Sequence, residues 1–370
     1  MPENFLNPEV VVYVYMASCA AVLIFNLLYI ASDKSRGRSL ERRCKVFKKE
    51  ICQQLKRIEA GEAVHVAHKK KMSRKLQKLE DLKAYEIAFL EVCEEVQTDI
   101  VSTYRKTLYE VFLMLVSFYK RRDEIERAYF ARLIETLKVK HYQPETDALT
   151  AFLLNSVTER NVYIRENAFK ALYAIGDESL IQQAWKNQMQ TNIFHNKKLL
   201  TDGLLTFAGD KDALAEVLWA ECDTFPEELV LPVMQFIRFS SGCFAERFFI
   251  VMTNPAKSME IRLEAIRYFR SHFYGPAKDA LKEFIETMNT DEWAYAAVAA
   301  LSLVNYPEPD VVDALKEGLH SVNWYVRLNC AETLILGLKI PKSQMLDVHN
   351  GRDRYAREIL TYVTERAGKS

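Results

Sequence analysis

Residues 161–180 read NVYIRENAFKALYAIGDESL, and the same pattern returns as SMEIRLEAIRYF at 258–269 and NWYVRLNCAETL at 323–334. Aligned on Arg165, Arg262 and Arg327, the copies lie 97 and 65 residues apart, close to three and two units of 32–33 residues. That period predicts further copies near 198, 230 and 294, where the chain has Lys198, Val230 and Ala294. The six positions are then spaced 33, 32, 32, 32 and 33. Three residues on lies a small or apolar side chain: Ala168, Thr201, Val233, Ala265, Ala297 or Cys330, with Thr201 the weak member. Seven residues on lies a large one: Leu172, Leu205, Ile237, Phe269, Leu301 or Leu334. Offsets of three and seven fall on one face of a helix.

A turn follows each copy, marked by Gly176-Asp177, Gly209-Asp210, Ser241-Gly242, Gly275-Pro276, Pro307-Glu308-Pro309 and Ile340-Pro341. A second apolar-periodic helix comes next, as in DALAEVLWAEC or PAKDALKEFIETM. Each unit is thus a helix–turn–helix too small to bury its own apolar face, and stacked neighbours complete the core. With 11 Gly and 10 Pro in 370 residues, turns are too sparse for a β-rich fold. The expected fold is all-α: an α-solenoid of about six to seven helix pairs.

The period and pattern resemble HEAT repeats, especially the short bacterial kind also called phycobilisome-lyase-type, over roughly 161–350. Arg132, 33 residues before Arg165, marks a degenerate seventh unit whose second helix is PETDALTAFLLNS. RDRYAREILTYVTERAG, 352–368, reads as a capping helix. The resemblance implies an inter-repeat structural role for Arg165, Arg262 and Arg327, which bridge neighbouring units by hydrogen bonds. A ligand role is the alternative, but no fork of partners surrounds these arginines.

VVVYVYMASCAAVLIFNLLYI, residues 10–30, has no charge over 21 residues. As a helix it spans about 30 Å, a bilayer core. A cleaved signal needs a basic start, yet the preceding residues carry Glu3 and Glu9 and no Lys or Arg. The same flank opposes a lipoprotein reading of Met16-Ala17-Ser18-Cys19. Lys34, Arg36, Arg38, Arg42, Arg43, Lys45, Lys48 and Lys49 follow the span. By the positive-inside rule they place the N-terminus outside and the rest in the cytoplasm of a single-pass plasma-membrane protein. These eight are also the lipid-headgroup candidates, since a basic collar attracts anionic lipid. Residues 33–80 carry a net +10 and residues 81–370 a net −8, which disfavours nucleic acid as a partner. Seven scattered cysteines without C-x-x-C fit free thiols in a reducing compartment.

Cys44, Phe47, Ile51, Leu55 and Ile58 form one apolar stripe, interrupted at Gly61. A second helix is expected from Met72 to about Ile100, and VFLMLV, 111–116, reads as buried helix. The expected domains are an outer N-terminus (1–9), the membrane helix (10–30), basic linking helices (31–127), the solenoid (128–350) and a capping helix (351–370).

No G-x-S-x-G, Walker A, dinucleotide fingerprint or H-E-x-x-H occurs. Deoxyhypusine hydroxylase, a helical-repeat enzyme, uses His-Glu dipeptides as iron ligands, and none of the seven histidines here precedes Glu. HEAT-like DNA glycosylases need a basic concave face, which the acidic balance opposes. Glu62/His65/His68 and Glu317/His320 have a spacing that holds di-iron in four-helix bundles, but the bundle context is missing. Bilin lyase activity is an analogy from fold alone. Trp185, Trp219, Trp293 and Trp324 are weighed as groove residues against core, with Trp185 and Trp219 the partner-groove candidates.

The expectation is therefore a non-enzymatic scaffold, without cofactor, metal or small-molecule substrate, that binds a protein partner at the membrane. Its layout resembles bacterial single-pass HEAT proteins of membrane glycosyltransferase and envelope-polysaccharide systems. The alternative is a lyase or other enzyme with an unrecognised site.

Overall fold

The computed structural model describes residues 8–96, 98–139, 147–287 and 292–368. The described residues are helical with no strand, and they divide into two compact units, 1–175 and 176–370.

Unit 1 holds α1 (Pro8–Glu59), α2 (Val66–Lys75), α3 (Leu79–Glu95), α4 (Thr98–Tyr119), α5 (Glu124–Thr136), α6 (Ala148–Ser156) and α7 (Val162–Ile175). α1 is one continuous helix of 52 residues whose N-terminal half is exposed. Its C-terminal half packs on α3 and α4, burying Phe47, Ile51 and Leu55 from the stripe. Phe47 meets Tyr85 edge-on at 5.6 Å, and Tyr85, Phe89 and Tyr104 stack in sequence behind it. The helix expected from Met72 to Ile100 is instead broken at 76–78 and again after Glu95. The first break is stabilised from a distance: Tyr119 donates to the Leu76 carbonyl at 2.6 Å, satisfying a group the helix would have used. VFLMLV lies in α4 with Val111, Phe112, Leu115 and Val116 buried.

α5 packs along α7, and Asn167 donates to the Ala128 carbonyl across them at 2.9 Å. Arg132 does not hold the repeat position expected of it. It lies in the middle of α5 and pairs with the buried Glu86 of α3 at 2.7 Å. The fourth residue of α5, equivalent to Arg165 in α7, is Arg127. The segment between α5 and α6 lengthens this unit and shifts the register.

Unit 2 opens with α8 (Glu178–Thr191), followed by α9 (Lys197–Leu205), α10 (Lys211–Trp219), α11 (Glu227–Ser240), α12 (Ala245–Thr253) and α13 (Met259–Tyr268). Then come α14 (Ala277–Glu286), α15 (Trp293–Ser302), α16 (Pro309–Gly318), α17 (Trp324–Glu332), α18 (Leu346–His349) and α19 (Arg354–Ala367). α9, α11, α13, α15, α17 and α19 pack side by side in chain order, while α10, α12, α14 and α16 each pack on the helix that follows. This is a helical repeat stack. Its inner seam buries Thr201, Val233, Ala265, Ala297 and Cys330, the small residues of the period. Thr201 is tolerated there because its hydroxyl has two acceptors within reach, the Lys197 carbonyl at 3.1 Å and Gln235 Oε1 at 3.0 Å. Side-chain donors tie successive helices to a neighbour's carbonyls: Asn329 to Ala297 at 2.7 Å, Thr333 to Ala300 at 2.8 Å and Ser302 to Ile266 at 2.9 Å.

Candidate binding cleft

α14 packs along α16, but α10 and α12 do not close on each other in the same way. The gap is a cleft of about 390 Å³. Trp219, Phe225, Val230, Met234, Ile250 and Ile261 supply its apolar walls. Trp219 at the end of α10 leans on Phe244 and Phe248 of the next unit, with ring centroids 5.7 and 5.1 Å away. Ile250 on α12 is 58% exposed, an apolar side chain at the open edge. Two ion pairs cross the rim from one repeat to the next, Lys257–Asp223 and Arg247–Glu216, both at 2.7 Å. Burial pushes the Cys222 thiol up to about 12, so at neutral pH it lines the cleft as a weakly polar apolar group, not as a thiolate. Apolar walls beside the charged Asp223, Arg247 and Lys257 suit a guest with an apolar ridge and polar flanks.

Of the two tryptophans expected in the groove, Trp219 lines this cleft. Trp185 does not: it is 0% exposed in the interior face of α8, where its indole is core. The groove role read for Trp185 is therefore corrected; helical spacing does not separate a core tryptophan from a groove one. Trp293 and Trp324 lie elsewhere, at the N-terminal ends of α15 and α17. Trp293 stacks on Tyr325 at 5.6 Å, and Trp324 shares a second hollow with Arg327, Tyr355 and Tyr362.

The repeat arginines act on the turns. Arg165 Nη1 donates to the carbonyls of Glu159 and Arg160, at 2.7 and 2.9 Å, and Arg327 Nη1 to that of Ser321 at 2.7 Å. Arg262 Nε reaches further back, to Met252 O at 3.0 Å, with its guanidinium over Tyr295 of the next repeat. Arg262 thus satisfies a carbonyl in the last turn of α12, where the helix dipole is negative, while Arg165 and Arg327 satisfy carbonyls of the connection that leads into their own helix. Arg357 makes the same contact to Gly351, so the segment read as a cap repeats the first-helix position of a unit. The 30-residue step from Arg327, shorter than the period, hid it in the sequence.

The Glu-x-x-His spacings scatter. Glu62 pairs with Arg57, His65 caps α2 through Nδ1, and His68 Nε2 is 2.8 Å from Tyr104 Oη. His320 Nδ1 meets Asp353, which caps α19, at 2.8 Å. No group of three or more His, Cys, Asp or Glu able to hold a metal occurs among the described residues.

The basic candidates divide. Arg43 pairs with Asp81 at 2.5 Å, Lys48 with Glu95 at 2.8 Å and Lys45 with Glu41 at 2.7 Å. Lys34, Arg36, Arg38, Arg42 and Lys49 are exposed and form no ion pair among the described residues.

The chain is thus an all-α protein of stacked helical repeats preceded by a long apolar N-terminal helix. No family model matches it. No curated protein matches it. Among solved structures it is similar to human deoxyhypusine hydroxylase in complex with glycerol, at 13% identity and a TM-score of 0.28, covering 82% of this chain and 97% of that one. That protein is an enzyme, so the comparison withdraws the expectation that the chain is not an enzyme without showing that it is one. At that TM-score, nothing of the enzyme's activity or site passes to this chain.

Proposed function

We propose that the chain is a membrane-anchored, HEAT-like scaffold whose unit 2 cleft receives an apolar helix face of a protein partner at the membrane. The cleft between α10 and α12 carries this reading: apolar side chains line it together with Asp223, Arg247 and Lys257, and it has an exposed isoleucine at its edge. A helix laid in such a groove buries residues at i, i+3 and i+4. The anchor reading rests on the uncharged run at 10–30, which lies in a helix with a window of mean hydropathy 2.0 and no share buried. The excess of Lys and Arg after the span supports a cytoplasmic location for the chain that follows it. A membrane glycosyltransferase of an envelope-polysaccharide system is the partner class the layout resembles.

The test is capture of partners from native membranes in mild detergent by the tagged full chain and by its Ile250→Glu variant. Ile250 is exposed, so the variant folds while the cleft gains a charge. The expected result is one membrane protein held by the wild type and reduced at least tenfold with the variant. Equal recovery with both would remove the cleft from the proposal.

A further inference from the structure

Resting on the anchor reading, we infer that four of the eight basic residues after the span, Lys34, Arg36, Arg38 and Arg42, form a binding surface for anionic phospholipid headgroups, and that Arg43, Lys45 and Lys48 do not. Three observations separate the sets.

The first is continuity. α1 runs unbroken from Pro8 to Glu59, so height above the span follows from helical rise. Counted from Ile30, Lys34 lies about 6 Å out, Arg36 about 9 Å, Arg38 about 12 Å and Arg42 about 18 Å. Lys48 and Lys49 lie at about 27 and 29 Å by the same rise. The headgroup layer of one leaflet is about 5–7 Å thick, and ionic screening falls off over about 8–10 Å beyond it. Side chains on a helix lean toward its N-terminus, which here is toward the bilayer. That lean brings Arg38 and Arg42 into range and leaves Lys48 and Lys49 outside it.

The second is charge. Arg43 and Lys48 are already neutralised by Asp81, Glu91 and Glu95 of α3, and Lys45 by Glu41 one turn earlier. The four proposed residues have no acid partner among the described residues, so their charge is open to an external anion. The third is packing. α1 is exposed through Ser39, and the bundle closes on it at Phe47. Lys34, Arg38 and Arg42 recur every fourth residue and share one side of the helix. A flat, multiply anionic surface is the partner that fits a short stripe of unpaired cations standing directly over a span. Each well-placed charge is worth about fivefold in preference for anionic over zwitterionic lipid at low salt.

The full chain would be reconstituted in bilayers of phosphatidylcholine and phosphatidylglycerol. The preference of its immobilised lipid shell for spin-labelled phosphatidylglycerol is read by electron spin resonance. The wild type should prefer the anionic label several-fold, with the preference falling as salt rises. K34Q/R36Q/R38Q/R42Q should bring it close to one. R43Q/K45Q/K48Q removes nearly as many charges and should leave it unchanged. Equal loss in both variants, or retention in the first, overturns the assignment while leaving the anchor intact. A chain that washes off the bilayers at alkaline pH overturns the anchor and this inference together.

Discussion

Gly176 has φ +77°, and a Cβ on it would lie 2.7 Å from the backbone nitrogen of Gly209, the glycine of the next repeat turn. The left-handed backbone alone costs an alanine about 1–2 kcal/mol. The opposing atom is backbone and cannot rotate away. Gly176→Ala should therefore lower unit 2 stability by more than about 2 kcal/mol in urea unfolding, and a loss no larger than the backbone cost of about 1–2 kcal/mol would show that the turns do not meet. The Gly-Asp pairs were legible as turns in the sequence; their approach to each other was not, because it needs the stack. His68 shows the same limit. The residue is buried against Tyr104, and burial lowers its pKa from 6.5 to about 4, with Lys71, Lys75 and His65 adding to the effect and Glu50 opposing it. The folded state then binds fewer protons than the unfolded one between those values, so stability is complete above pH 6.5 and is lost as pH falls toward 4. The loss should be on the order of 2–3 kcal/mol in unit 1. His68→Gln, which keeps a hydrogen-bonding group for Tyr104, should flatten that slope. An unchanged slope would place the titration on another group. Nothing near His68 in the chain predicts Tyr104, 36 residues away.

At the scale of the element, α1 divides along its length. The stripe of Phe47, Ile51 and Leu55 could be read from periodicity, and it is the face that packs. Ile51 is fully buried between α1 and its neighbours, whereas Val46 is 49% exposed. Ile51→Ala should cost about 2–5 kcal/mol and Val46→Ala less than about 0.5 kcal/mol. Denaturant midpoints for the two would expose a wrong packing face if the order reversed. Where periodicity failed, a distant group had decided. The run from Met72 to Ile100 reads as one helix because its apolar positions stay in phase. The break at 76–78 depends on Tyr119, whose hydroxyl takes the Leu76 carbonyl from 43 residues away. Register failed for a different reason at Arg132, where a longer connection displaced the repeat arginine, and at Arg357, where a shorter one did.

At the scale of the molecule, the period was the most legible feature, because each unit of unit 2 is buried mainly by the units beside it. The division at Ile175/Gly176 was not legible, since it falls inside the repeat run and no composition shift marks it. Nearest-neighbour burial has an energetic consequence. In a repeat stack, stability is close to a sum of unit and interface contributions, so damage stays near its origin. Leu281 of α14 is fully buried, and α14 packs on α15 and α16. Leu281→Ala removes about 2–5 kcal/mol at that point. Amide hydrogen exchange should then rise in α13 through α16 and remain near wild type in α9 and α10, four or more helices away. Equal loss of protection throughout unit 2 would mean that it unfolds as one cooperative block. In that case the cleft between α10 and α12 would owe its shape to the whole unit, and a substitution in α14 would disturb partner binding without touching the site. With graded loss, the cleft is held locally by Trp219, Phe244 and Phe248, and the α14 variant should bind a partner as the wild type does.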